Sequence, residues 1–574
     1  MEVITEKPDW HKKVFNETIV KKWQDEILTQ PNALINETTF EWCLLELRDK
    51  AKAFEEKSFV LSYEGPNAVV KSDNYINKIL KNKLKNATQP LLTIPEKDWH
   101  PNSNDQVLNL VHPSMYPLVY GRSQALKTGT IGVKDFLNSY SNAEKVAGNQ
   151  VVQSNDRIGR YPHHRPNEGL WSSNFQWLPC EVKFEGESGT KINIKSYINN
   201  LHPVYNEELY PIIEEFVSLS IPLWNEILLF KRPLSKGIAS LRIIATEAEF
   251  DEEMPMWLND SNEDPEIAQK VDEYLALPNN PDASYLNDRD FDTEFDSDNW
   301  MEEYGPDVIV EWKWKQIRTV LHPEPEPSEY QSWRDKKKKR ADLETLFRKD
   351  GLQVIVKLTS IELTPDKPDY PGGNWHLEGM SNEHIAATSI YYYDVENITP
   401  ARISFRSEAY LDDQNLSYPQ NDHFPLQVIF GTKSMSQEPA VQEIGSVTTN
   451  DGRIIAFPNT LQHKVEPFSL VDKTKPGHRR FLVLWLVDPH YRIMSTANVP
   501  PLRRDWWVDE TLNIEGLSDR LPPELAKMVT DNATKDWLMG DKEAKELRLK
   551  LMEERVTFAT SVENNFEEYF LCEH

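Results

Sequence analysis

A few side chains in the C-terminal half are of types that can work together chemically. His376 and Glu378 stand two apart in "YPGGNWHLEGM". On a strand, alternate side chains share a face, so both would enter one cavity while Leu377 turns away. A neutral imidazole and a carboxylate are two of the three facial ligands that suit a non-haem Fe(II). The competing reading is a hydrogen-bonded polar pair at a strand end. A third ligand has to come from a later strand, and 352–490 supplies His384, His423, His463, His478 and His490. His463 has the fitting context in "GRIIAFPNTLQHKVEPFSL": a strand, a turn at Pro458-Asn459, then a strand beginning with the histidine. Sixteen residues on, Arg479 and Arg480 open "RRFLVLWLV". A guanidinium drawn into so apolar a strand needs an anionic partner, and its planar fork fits a carboxylate. Surface ion pairing competes for each arginine taken alone. Strand alternation sends the two to opposite faces, so only one can point inward.

These positions need a framework. From 352 onward short β-rich runs follow one another: "LQVIVKLTSIEL", "NWHLEG", "HIAATSIYYYD", "ARISFRS", "FPLQVIFGT", "EIGSVTT", "GRIIAFPN", "LQHKVEPFSL" and "RRFLVLWLVD". Turn residues separate them, and the spacing predicts a sandwich or jelly roll. The expected fold class is therefore α+β, with a double-stranded β-helix (jelly-roll) core over 351–495. Around it, 1–90 reads as helical, with Thr38 or Thr39 as a cap. Residues 91–350 read as a loop-rich α/β region, and 496–574 as helical again. Within the second region a helix is expected to break near Pro222. "DVIVEWKWKQIRTVL" reads as a strand, and the basic run from Arg334 to Asp350 as a short amphipathic helix with a solvated face.

Bulk properties narrow the function. The chain has 574 residues, 39% hydrophobic, enough for a sizeable core. Its formal net charge is -28, and 247–307 holds 21 acidic residues against two basic ones, Lys270 and Arg289. That segment reads as a partly ordered acidic insertion. So acidic a chain argues against nucleic acid as the main partner. No apolar run is long enough for a membrane span, and "MEVITEKPDWHKK" lacks a signal core. Cys43, Cys180 and Cys572 form neither a disulfide framework nor a zinc motif. The expectation is an intracellular home, cytoplasmic or nuclear.

The motifs in order carry a resemblance. H-x-E, the strand "TSIYYYD", then "FPNTLQHKVEPF", then "GHRRFLVLW" together resemble the Fe(II)/2-oxoglutarate-dependent oxygenase superfamily, most of all its prolyl-hydroxylase-like branch. The match covers about 352–490. "H-x-V-x-P" falls on His463, Val465 and Pro467; "G-x-R" with its following Trp falls on Gly477, Arg479 and Trp485. Two departures stand out. The acidic ligand is Glu where Asp is usual, and "SLVDKTKP" lengthens the gap between His463 and the arginines. The whole chain also resembles a mostly fungal family catalogued as a domain of unknown function.

What the superfamily resemblance implies is a metal set of His376, Glu378 and His463. Arg479, with its neighbour Arg480 as the alternative, would take the far carboxylate of the cosubstrate 2-oxoglutarate. Tyr392 would donate a hydrogen bond to it. The implied reaction is oxidation, hydroxylase in type, of an unidentified substrate, a small molecule or a protein side chain. Trp375 is placed to wall the site, and Asn374 and Asn382 to support it. A catalytically inactive cupin-like module, binding metal or a protein partner, is the alternative.

Overall fold

The computed structural model describes residues 1–29, 35–63, 68–135, 142–148, 169–228, 247–255, 265–280, 309–330, 341–408, 416–418, 422–432, 439–507 and 537–564, with a few isolated positions between 433 and 566. Twelve strands build the framework. They are β1 (Val60–Tyr63), β2 (Val69–Ser72), β3 (Val107–Val111), β4 (Cys180–Phe184), β5 (Ile192–Ile194), β6 (Leu352–Leu363), β7 (Ile385–Glu396), β8 (Arg402–Glu408), β9 (Val441–Thr448), β10 (Ile454–Pro458), β11 (Gln462–Val465) and β12 (Gly477–Val487). Nine of them form one sheet in the order β1-β2-β10-β7-β12-β6-β4-β5, with β3 also on β6. A three-stranded sheet, β9-β8-β11, faces it. Pairing within both sheets is antiparallel. The architecture is thus mixed α/β with antiparallel sheets.

Alternation along β12 sets the two faces of the large sheet. Leu482, Leu484 and Leu486 join Val354, Val356, Leu358, Tyr391 and Tyr393 in a core against α-helix 209–227. Val483, Trp485 and Val487 join Ile355, Ile390 and Tyr392 on the other face, against Ile403, Phe405 and Val447 of the small sheet. Register aligns the inner face across three strands. Lys357 lies opposite Val483, Thr359 opposite Phe481 and Ile361 opposite Arg479. Tyr392 also lies opposite Phe481 and Thr388 opposite Trp485. A sheet covered on both faces must read as near-continuous apolar strands, as β6 and β12 do.

Helices cover the sheet. Naming those used below in chain order, α1 is Glu37–Lys57, α2 Lys78–Ala87, α3 Leu209–Ile227, α4 Phe424–Phe430 and α5 Asp541–Asn564. The α1 cap is Asn36, whose side chain accepts from the Thr39 N–H, rather than either threonine. α3 runs unbroken through Pro222. Ser220, Ile221, Leu223 and Trp224 are all buried there, and that packing offsets the hydrogen bond the proline forfeits. α5 sends Leu551, 1% exposed, into the inner core between the sheets. Among the described residues no helix is long and apolar enough to cross a membrane.

Three segments depart from their expected type. The N-terminal region, read as helical, contains the hairpin of β1 and β2. Residues 309–317 are helical, not a strand. Ile309, Val310, Lys313 and Trp314 are buried and share one helical face, a pattern that a short aromatic-apolar run hides. "FPLQVIFGT" forms α4 instead of a strand. Pro425 fits a first helical turn but cannot donate to a β ladder, and Gly431 closes the helix with φ 64. Within the acidic insertion, Pro265–Leu275 is helical; of the basic run, Leu343–Leu346 is a short helix, while 334–340 lies outside the described residues.

Candidate metal centre

His463 lies in β11, buried at 3% exposure, with Phe405 opposite it on β8. Its ring packs 4.7 Å from Phe457, centroid to centroid. His376 is not on a strand as expected. It sits in an irregular segment pinned by one antiparallel bridge to His463. The His376 N–H donates to the His463 carbonyl at 3.2 Å, and the His463 N–H returns the bond at 3.0 Å. The two rings come to 4.3 Å. Glu378, two residues on, is held by a different device. Its N–H donates to Asn459 Oδ1 at 2.9 Å, while Asn459 Nδ2 donates to the carbonyls of Glu378 at 2.9 Å and Ile385 at 3.1 Å. Gly379 must follow, because φ is +70 and a Cβ there would lie 2.7 Å from Glu383 Oε2.

The three side chains converge. One potential ligand atom from each of His376, Glu378 and His463 lies within 4.8 Å of the others. His463 Nε2 is 3.3 Å from Glu378 Oε1. His376 Nδ1 is 2.8 Å from the Asn374 carbonyl, which places the proton on Nδ1 and leaves Nε2 as the free lone pair. Burial, followed by the neighbouring His463, brings His376 down to about 4. Burial opposes ionisation of Glu378, yet His463, His376 and Lys357 together hold its carboxyl down to about 2. At neutral pH the His376 imidazole is therefore neutral and Glu378 ionised, the states in which these groups bind a metal. Two imidazoles and one carboxylate suit a first-row divalent ion with open positions, so the residues fit the expected iron.

The arginines separate as alternation requires. Arg480 turns to the helical side, donating to Asp394 at 2.8 Å and Ser360 at 3.2 Å. Arg479 turns inward, 1% exposed, and among the described residues none of its three guanidinium nitrogens has a hydrogen-bond partner. Its guanidinium lies 4.5 Å from the centre of the Tyr392 ring and 5.3 Å from that of Phe468. Of the Tyr391-Tyr392-Tyr393 run only Tyr392 is on the inner face.

The remaining candidates lie elsewhere. His384 stacks on Tyr491, and His490 bonds Asp488. His478 lies 3.0 Å from Asp394, and His423 precedes α4. Trp375 is covered by Arg406 and Lys464. Asn382 serves Ser172 and Phe175 rather than the ligands. Two contributors escaped the sequence reading. Asn459 was visible only as a turn residue. Lys357 was signalled by its place in "LQVIVKLTSIEL", a lone cation on an apolar strand.

Comparison with known proteins places the chain in a family. It belongs to the family described as "Protein of unknown function (DUF4246)", whose profile matches residues 37–510. The N-terminal domain of that family matches residues 1–26. Curated proteins yield no match. Among solved structures, the Fe(II)/(alpha)ketoglutarate-dependent dioxygenase TqaL is similar at 12% identity and TM-score 0.15, over 26% of this chain and 50% of that one. AviO1 from Streptomyces viridochromogenes Tue57 is similar at 13% identity and TM-score 0.15, over 25% and 54%. A bsmA homolog from Methylobium petroleophilum PM1 is similar at 13% identity and TM-score 0.16, over 30% and 57%. The chain thus spans about half the length of these structures, and likeness at this level carries no argument about activity.

Proposed function

We propose that this protein is an Fe(II)- and 2-oxoglutarate-dependent oxygenase, hydroxylase in type, with a double-stranded β-helix core formed by the two facing sheets. The observation that supports it most is Arg479. A buried guanidinium without a carboxylate is costly, and it is explained by a ligand that brings one. It packs on Tyr392, in the same core between the sheets that holds Phe405 and Phe457 beside His463, the side on which an anchor for a chelating dicarboxylate is needed.

His376, Glu378 and His463 would hold the iron. Bound there, Fe(II) would supply dioxygen activation coupled to the conversion of 2-oxoglutarate to succinate and carbon dioxide. Arg479 would pair the distal carboxylate through its fork, with the Tyr392 hydroxyl as second donor. Phe457, Phe481 and Trp485 would keep the cavity dry, strengthening each polar contact inside it. Glu378, longer than the usual aspartate, is fixed by the Asn459 clamp on its backbone.

The test is spectroscopic. Anaerobic protein with Fe(II) should develop a weak visible charge-transfer band on adding 2-oxoglutarate. The band should vanish in His463→Ala and need much more 2-oxoglutarate in Arg479→Met. A folded wild type without any band would overturn the reading.

A further inference from the structure

Lys357 is a second cation on the inner face, and its effect on the metal centre is only long-range, as on the charge of Glu378. It stands in mid-β6, opposite Val483, while Val356 and Leu358 beside it face the helical core. It is half-buried while its strand neighbours are buried, and alternation turns it to the inner face. Among the described residues no carboxylate lies within ion-pair distance of its ammonium.

The surrounding charges are already matched. Arg548 and Arg555 lie seven apart on α5, hence on one side of it, with buried Leu551 between them. Arg548 is bound by both oxygens of Asp98 at 2.8 Å. Arg555 is bound by both oxygens of Glu383 at 2.8 Å and stacks 3.7 Å over Trp177. Glu378 belongs to the ligand cluster. His100 and His112, 5.3 Å apart by centroid, are kept neutral by burial and by the positive charge of Lys357. Among the described residues, Lys357 is thus left as positive charge without an ion pair at this end of the inner face. Arg479 belongs to the other end. It is in register with Ile361, four residues or about 13 Å along β6 from Lys357.

We propose that Lys357 anchors a second anion subsite, distinct from that of Arg479, and that the substrate is a small molecule bearing a carboxylate or a phosphate monoester. This rests on the oxygenase reading for the reaction, though not for the binding of the anion.

The experiment uses the full chain, wild type against Lys357→Met, Lys357→Arg and Arg479→Met. One arm records the 2-oxoglutarate charge-transfer band in anaerobic Fe(II) protein. The other records Tm with acetate or methyl phosphate, against chloride at equal ionic strength. One of the two anions should raise the wild-type Tm by about 2 °C or more at millimolar concentration. Lys357→Met should abolish the shift and Lys357→Arg restore it, and whichever anion works names the substrate's charged group. The half-saturating 2-oxoglutarate concentration should rise far less in Lys357→Met than in Arg479→Met. Silence of both anions in wild type, or a shift that survives in Lys357→Met, overturns the subsite. So does loss of the band in Lys357→Met to the extent seen in Arg479→Met, since Lys357 would then serve the cosubstrate. A band absent from every protein, with an anion shift that depends on Lys357, sinks the oxygenase reading and leaves the subsite standing.

Discussion

Arg453 and Arg479 are both 1% exposed and sit on either side of the same tyrosine, yet their surroundings are opposite. The Arg453 carbonyl accepts from the Tyr392 N–H at 3.0 Å, and the Arg479 guanidinium lies against the Tyr392 ring. Arg453 is fully engaged. Nε and Nη2 each donate to Asp73 at 2.6 Å, and Nη1 donates to Glu6 at 2.8 Å. Lys71 shares Glu6 at 2.5 Å and also bonds Glu2. Burial opposes the charge on Glu6, but Lys71 and Arg453 bring its carboxyl down to about 2. That network rivets the N-terminal segment to the sheet. Among the described residues Arg479 has no such partner and fastens nothing. One cation is structural because its counter-charges come with the fold; the other waits for a counter-charge from outside.

The comparison can be broken most sharply by removing each cation. Arg453→Met leaves Asp73 without its partner and Glu6 with Lys71 as its remaining cation, and should cost about 3–5 kcal/mol. Arg479→Met exchanges an unpaired charge for apolar volume and should leave stability unchanged or raise it by about 1–4 kcal/mol. Urea unfolding midpoints of the two variants decide the matter; similar losses in both would erase the distinction.

A smaller effect is expected at the ligand cluster. Asn459→Ala removes the clamp on Glu378, and metal affinity should fall about 10–100-fold by calorimetric titration with Zn(II). Unchanged affinity would mean that the His376–His463 bridge alone positions the ligands.

His100 sharpens the electrostatic side. Burial, then Lys357 and Arg548, lower it to about 4. The unfolded chain therefore binds more protons than the folded one between about pH 6.5 and 4, so stability falls as pH drops through that window. His100→Gln should flatten the dependence of the urea midpoint on pH there, and an equal slope in both proteins would refute the assignment. The smallest effect belongs to an exposed pair, Lys473 with Asp369 at 3.4 Å. Lys473→Ala should change stability by less than about 1 kcal/mol in the same assay.

The strands with strict alternation were legible from residue types alone. β6, β7 and β12 fall where their apolar runs begin and end, and the Arg479/Arg480 pair splits as period two demands. The ligand types were legible as well, because His-x-Glu followed by a later histidine is a sparse pattern. What escaped was decided by tertiary contact. The H-x-E segment is held by a bridge and an asparagine clamp, neither of which has a local periodic signature. The helix at 309–317 and α4 are short, and seven to nine residues with apolar ones so placed satisfy both periods. Lys357 gained its meaning only once register showed which face it occupies.

The strand order has a consequence for how the molecule comes into being. In the large sheet Val70 pairs with Ala456, and Cys180 with Val354. Closing such loops penalises stability only weakly, since each doubling of loop length costs about 0.6 kcal/mol. Speed bears the burden instead, because distant segments must find each other before any pairing rewards them. Until β2 reaches β10 and β12 inserts between β6 and β7, long apolar strand edges stand open to other chains. Slow assembly with a window of aggregation is the expected birth history of this sheet, and chaperone dependence is its natural companion.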